Sequence, residues 1–187
     1  MWNIIFQVPL RTEICRCMGM PTLTPGQLKA SAYVGLRRYF LTFCTDHRRH
    51  LLTKPPVVDL VLAQISRAAT ENQFEVIAYC FMPDQVHLLV AGTTEVADCK
   101  RLIARAKQYS AFYYSRTYDT VLWQRHGADR VLADEEVSEV VAKEILETPV
   151  RAGMVRRVED YPFSGWPGGP ERTHPTSASA QDVSPEP

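Results

Sequence analysis

The sequence predicts an α+β fold, an antiparallel sheet with helices on one face plus a C-terminal helix. Three observations predict it. Short runs rich in aromatic and β-branched residues alternate at 38–45, 74–80 and 85–90. Apolar residues recur at helical spacing over 57–72 and 96–117. Only four residues, Phe81 to Asp84, separate the second and third runs, with Met82-Pro83-Asp84 as the turn, a connection short enough for an antiparallel hairpin alone.

The elements follow in order. RYFLTFCT, 38–45, reads as a strand, and Pro55-Pro56 then stops the chain. In VVDLVLAQISRAATEN, 57–72, Val58, Leu62, Ile65 and Ala69 share one helix face. FEVIAYC, 74–80, is the second strand, and 85–90 pairs back on it as the third. A long helix over 96–117 carries Leu102, Ala106 and Tyr109 on one stripe. A loop and a fourth strand near 129–132 follow, and then a last helix, 135–147, N-capped by Asp134 and ended by Pro149. The order strand, helix, strand, strand, helix, strand, helix is that of the ferredoxin-like split βαβ sheet, extended by one helix.

The 187 residues suit one domain with tails. Residues 1–32 read as an N-terminal extension and linker. Residues 33–166 form the folded part. The segment 167–187, rich in Pro, Gly, Ser and acidic residues, reads as a disordered tail. The hydrophobic share of 45% supports a real core, and the formal net charge of zero does not by itself announce a nucleic-acid binder. The five cysteines, Cys15, Cys17, Cys44, Cys80 and Cys99, include no CxxC pair. They argue against a zinc site and more strongly against a disulfide framework, which points to a reducing, cytoplasmic compartment. No apolar run reaches the roughly 18 residues of a membrane span. The apolar start, MWNIIFQVPL, lacks the basic flank and cleavage site of a signal peptide.

Three features point to chemistry. In FMPDQVHLLV, 81–90, Gln85 and His87 fall on the same strand face because side chains alternate. The local pattern leaves two readings open, a pair facing a metal or substrate on an open sheet face, or a half-buried histidine tied to a neighbour. In AKEILETPVRAGMV, 142–155, Glu144 and Thr148 are spaced i,i+4 on one helix side. That spacing suits a nucleophile beside a metal ligand, and equally a solvated helix face. Third, Lys100, Arg101, Arg105, Lys107, Arg116, Arg125 and Arg130 stand against Asp119 and Asp129, a local excess of five positive charges. Tyr109, Phe112, Tyr113, Tyr114, Tyr118 and Trp123 interleave with them. Cations for phosphates and rings for exposed bases suit nucleic acid, whereas the bland alternative is a solvated helix whose aromatics are core. Arg37, Arg38, Arg48 and Arg49 add a second basic group around the first strand, with His47 and His50 joining it when protonated.

These segments, in this order, resemble the single-tyrosine HUH transposases of the REP-associated and insertion-sequence kind. FMPDQVHLLV resembles their MPNHVHLL signature, and LWQRHGADRVL their Trp-Gln-Arg segment. AKEILETPVRAGMV is similar to their terminal helix, typically ARYILENPVRAGLV, and YPFSGW, 161–166, to their YPWSS-like ending. The resemblance covers about 35–166. It implies a divalent metal, Mg2+ or Mn2+, held by two histidines and a polar residue of the last helix. It also implies a tyrosine that attacks a DNA phosphate and becomes linked to the strand. Carried over residue by residue, the metal positions are His87, Gln85 and Thr148, with glutamine at the first histidine and threonine at the usual asparagine. The nucleophile position holds Glu144, and Asp84 replaces an asparagine. Three of four chemical positions are changed, and a carboxylate is a poor substitute for a phenolate attacking a phosphodiester. Tyr109, Tyr113, Tyr114 and Tyr118 lie on or just after the preceding helix and do not replace it.

The resulting expectation is a transposase-family DNA-binding protein with impaired strand cleavage that recognises single-stranded or hairpin DNA. Arg38, Arg48, Arg49, Lys100, Arg101, Arg105, Lys107, Arg116, Trp123, Arg125 and Arg130 are its candidate DNA contacts. Two alternatives are an active metal-dependent nicking enzyme using His87, Gln85 and Glu144, and an RNA- or protein-binding module on the same scaffold. The resemblance also suggests a homodimer.

Overall fold

A computed structural model of the chain describes residues 33–125, 128–132 and 136–167, with the backbone alone over 128–130. The segments predicted as an N-terminal extension and a disordered tail, and Asp134 as a helix cap, lie outside the described residues, apart from Pro167.

Strand β1, Arg38–Cys44, leads through a 3-10 turn, Asp46–Arg48, to helix α1, Pro55–Glu71. The two prolines begin this helix rather than merely stop the chain. An N–H in the first turn has no intrahelical partner to lose, and the fixed φ of proline is already helical. Strands β2, Phe74–Met82, and β3, Gln85–Gly92, form a hairpin on the two-residue turn Pro83-Asp84. Helix α2, Cys99–Tyr118, is capped by Asp98, whose carboxylate accepts from the backbone N–H of Lys100 and Arg101. Strand β4 is Ala128–Val131. Helix α3, Ser138–Leu146, gives way to a short turn of helix, α4, Thr148–Arg151. Strand β5, Ser164–Gly165, comes from the YPFSGW segment and was not predicted.

The sheet order is β4-β1-β3-β2-β5, antiparallel throughout. Its first four strands have the ferredoxin-like arrangement, and β5 adds a short edge beside β2. The period-2 pattern of the strands sorts their side chains to two faces. Tyr39, Leu41 and Phe43 of β1, with Val86, Leu88 and Val90 of β3, pack against Val58, Val61 and Ile65 of α1 and Leu102 and Ala106 of α2. Leu62 and Tyr109, predicted on these stripes, are partly buried at their edges.

The predicted open sheet face is closed. Ala78, Cys80, Met82 and Leu89 point to the opposite side of the sheet, where Val141, Ala142 and Ile145 of α3 cover them together with Tyr161. Helices α1 and α2 share one face as predicted, and the C-terminal helix seals the other. The apolar faces of β2 are the mark of a strand buried on both sides, but Gln85 and His87 on β3 make the covered face read as open.

Candidate functional site

The Gln85–His87 side of β3 faces α3. Gln85 is 6% exposed and His87 5% exposed, so the reading of His87 as buried and tied to a neighbour is the one the fold adopts. His87 pairs in register with Thr42 on β1 and with Cys80 on β2. Its Nδ1 lies 3.0 Å from Thr42 Oγ1, and its ring stacks on Phe40 with centroids 5.5 Å apart. Burial lowers its pKa to about 4, and the charges of Arg48 and then Arg151 push in the same direction. The imidazole is therefore neutral at pH 7, with two guanidinium groups within electrostatic reach.

Arg48 reaches Gln85 from the turn that follows β1, whose last residue Cys44 pairs in register with Gln85. Its Nη1 donates to Gln85 Oε1 at 2.8 Å and to Cys44 Sγ at 2.9 Å. Its Nε lies 2.9 Å from Asp84 Oδ2. The loop that delivers it is strained, with His47 at φ 51° and Arg48 at φ 57°, two consecutive non-glycine residues in the left-handed region. Such conformations cost about 1–3 kcal/mol each and persist only where the surroundings impose them. Here Asp46 N–H donates to Leu122 O, Thr45 Oγ1 donates to Arg49 O, and Arg49 is held by Asp46 Oδ2 and Val121 O.

On the covering side, Glu144 and Thr148 keep their i,i+4 relation although α3 ends between them. Thr148 Oγ1 donates to Glu144 O at 3.2 Å. Arg151 Nη2 donates to the same carbonyl at 2.6 Å and lies 3.4 Å from Thr148 Oγ1. Glu144 is half-buried, and its Oε2 is shielded from solvent without a hydrogen-bond partner.

This donor set does not fit a divalent cation. Of the three positions proposed from sequence as metal ligands, His87 offers an imidazole, but Gln85 has its amide oxygen engaged by Arg48. The Thr148 hydroxyl is engaged by backbone and by Arg151. A hard divalent ion wants several free oxygen donors, usually anionic, and the shielded Oε2 of Glu144 supplies a single such oxygen. The guanidinium groups of Arg48 and Arg151, both within electrostatic reach of His87, oppose its charge. Among the described residues, no three His, Cys, Asp or Glu side chains converge as a metal site.

The predicted DNA contacts divide between the two sides of the sheet. The α2 residues Arg105, Tyr109, Phe112, Tyr113 and Arg116 form an outward strip on the helical layer, away from His87. Phe112 is 52% exposed and Tyr113 41% exposed. Arg116 lies over the Phe112 ring at 5.5 Å, and Arg67 over Tyr109 at 4.8 Å. Lys100 sits over the Tyr33 ring, and Arg101 and Arg125 are exposed. Arg38 is drawn to the other side, donating to Ser138 Oγ at the start of α3.

Trp123 is a correction to the sequence reading. It is 7% exposed, its indole N–H donates to buried Ser110 Oγ at 2.8 Å, and its ring meets Phe43 edge-on. It belongs to the core and presents no ring to a base. Lys107 is half-buried, lowered in pKa by that burial, with Nζ donating to Gln124 O. The side chain of Arg130 lies outside the described residues.

No described tyrosine of α2 takes the nucleophile position. Tyr109 Oη donates to Glu71 Oε2, Tyr114 is buried in the layer of α1 and α2, and Tyr113 and Tyr118 are exposed beside it. Tyr161 does lie on the His87 side of the sheet, but its hydroxyl donates to Phe81 O at 2.6 Å, and burial raises its pKa. Sequence reading missed two participants in the site, the Arg48–Gln85 contact and Arg151. The first joins residues 37 apart, with no local pattern to mark it. The second sits in AKEILETPVRAGMV but looks like an ordinary basic residue at a helix end.

The fold agrees with what comparison finds. A solved REP-associated tyrosine transposase bound to a REP hairpin superposes with a TM-score of 0.62 at 19% identity, covering 76% of this chain and 82% of that one. A candidate transposase from Deinococcus radiodurans R1 matches at 22% identity over 67% of this chain and 95% of that one, with a TM-score of 0.45. No curated protein matches. The sequence profile described as "Transposase IS200 like" matches residues 34–129, from β1 into β4, and ends before α3 with its Glu144. With just over half of its length inside that profile, the chain belongs to the IS200-like transposase family.

Proposed function

We propose that this chain is a DNA-binding member of its family, directed to single-stranded or hairpin DNA, with impaired strand cleavage. One observation carries the reading. The position implied for the attacking tyrosine holds Glu144, and the position implied for the first metal histidine holds Gln85, whose amide oxygen accepts from Arg48. A carboxylate without an activating metal repels a phosphodiester instead of attacking it. The scaffold keeps features that suit nucleic acid. The α2 strip alternates exposed rings with Arg105 and Arg116, which supports stacking on unpaired bases and contacts to phosphates. The hairpin held by the structurally similar REP-associated transposase favours the same class of ligand here.

The test is a panel of labelled hairpin oligonucleotides carrying single-stranded flanks, with manganese or magnesium present. It is read by gel shift and, in parallel, on a denaturing gel. A shift that weakens steeply with salt, without cleavage, is the expected result. Metal-dependent cleavage abolished by His87→Ala would instead establish the active nicking enzyme. Absence of any shift at low salt would transfer the reading to an RNA- or protein-binding module.

A further inference from the structure

Arg48 contacts Gln85 and Arg151 contacts Thr148, two positions at which the family resemblance implies metal ligands, and the charges of both reach His87. Both are held by contacts that leave part of the guanidinium unused. Arg48 uses Nε for Asp84 and Nη1 for Gln85 and Cys44. Its Nη2 has no partner among the described residues, and its side chain is 38% exposed. Arg151 uses Nη2 for Glu144 O and Thr148, while Nη1 lies 3.5 Å from Glu147 Oε2. Its Nε is unengaged among the described residues, and its side chain is 37% exposed. A guanidinium fixed on one edge and open on the other is a pre-organised phosphate donor, because its fork loses little freedom on binding. The consecutive left-handed residues His47 and Arg48 also fit a loop shaped to deliver one side chain. Arg48 approaches from the end of β1, and Arg151 approaches from the turn after α3.

We propose that Arg48 and Arg151 form a fixed cationic pair that seats a DNA phosphate at this site without a metal ion. Gln85, at the position of a metal ligand, becomes the anchor of Arg48. Asp84 completes that anchor and neutralises part of its charge, so Arg48 stays in place when no DNA is bound. The inference rests on the DNA-binding reading above and specifies how the altered site serves it.

The experiment measures fluorescence anisotropy of a labelled hairpin oligonucleotide with a single-stranded flank, titrated with the full chain in EDTA and in excess manganese. Wild type is expected to bind equally in both. Arg48→Gln and Arg151→Gln are each expected to weaken binding about ten-fold and to lower the salt slope by about one. Arg157→Gln, which removes a cation paired with Asp160, should change affinity less than about two-fold. Thermal melts check folding of each variant. Should Arg48→Gln unfold, Arg48→Lys keeps the charge but loses the fork, and a partial loss of affinity is expected. Binding that requires manganese overturns the proposal, as does unchanged affinity in both arginine variants while wild type binds. In those outcomes the DNA-binding reading survives. No binding by wild type under any condition removes that reading together with the proposal.

Discussion

Arg48 Nη1 lies 2.8 Å from Gln85 Oε1, so the residue at which the family resemblance implies a metal-binding histidine holds a guanidinium. A buried amide oxygen needs a donor, and a charged donor makes the stronger bond. The Gln85 amide oxygen is therefore already satisfied by Arg48.

Reversing one position should not restore metal affinity. Gln85→His leaves Arg48 poised against the site, and Mn2+ titration followed by electron paramagnetic resonance should show no specific ion. Gln85→His combined with Arg48→Ser removes the competing charge and places two imidazoles on one strand face. A bound Mn2+ signal is expected only then. Specific Mn2+ binding by the single variant would mean that Arg48 does not oppose the ion.

Acid should destabilise the fold through His87. Its folded pKa is lowered from 6.5 to about 4, chiefly by burial. The unfolded chain binds more protons between those values, so stability is full above about pH 6.5 and falls as pH drops toward 4. The loss is on the order of 3 kcal/mol. Urea melts across this range should show the slope in wild type and a flatter profile in His87→Gln. Parallel profiles would place the acid sensitivity elsewhere.

Glu144→Gln should tighten hairpin binding several-fold. The change removes a negative charge beside the proposed phosphate seat and gives the shielded Oε2 position a group that is cheaper to bury than a carboxylate. The gain should shrink at high salt if the carboxylate acts through its charge. A weaker complex would show that Glu144 contributes a contact to DNA.

Trp123 and Phe112 separate core from surface among the aromatics of this region. Trp123→Ala empties a packed position against Phe43 and leaves Ser110 without its donor, at a cost of about 3–5 kcal/mol in chemical denaturation. Phe112→Ala should change stability by less than about 1 kcal/mol because the ring is half exposed, and it should weaken single-strand binding. A DNA-binding loss for Trp123→Ala in a fully folded variant would return that ring to the interface.

What the sequence determined by itself is the element order and the family. The strand and helix periods, the Pro83-Asp84 turn and the motif order around His87 and Trp123 are all local or sequential signals, and they survived folding with ends shifted by a few residues. The departures from the family pattern at Gln85, Glu144 and Thr148 were legible through the same resemblance. Tertiary structure alone decided what surrounds them. Placing α3 over the sheet buries His87, and a strained loop brings Arg48 to Gln85 across 37 residues. It also turns Trp123 inward to Ser110. Periodicity says that a side chain leaves one face of a strand, but the charge, solvent and partners it meets there come from segments far away in the chain. In this protein those distant segments close the face that periodicity leaves open and bring arginine to it.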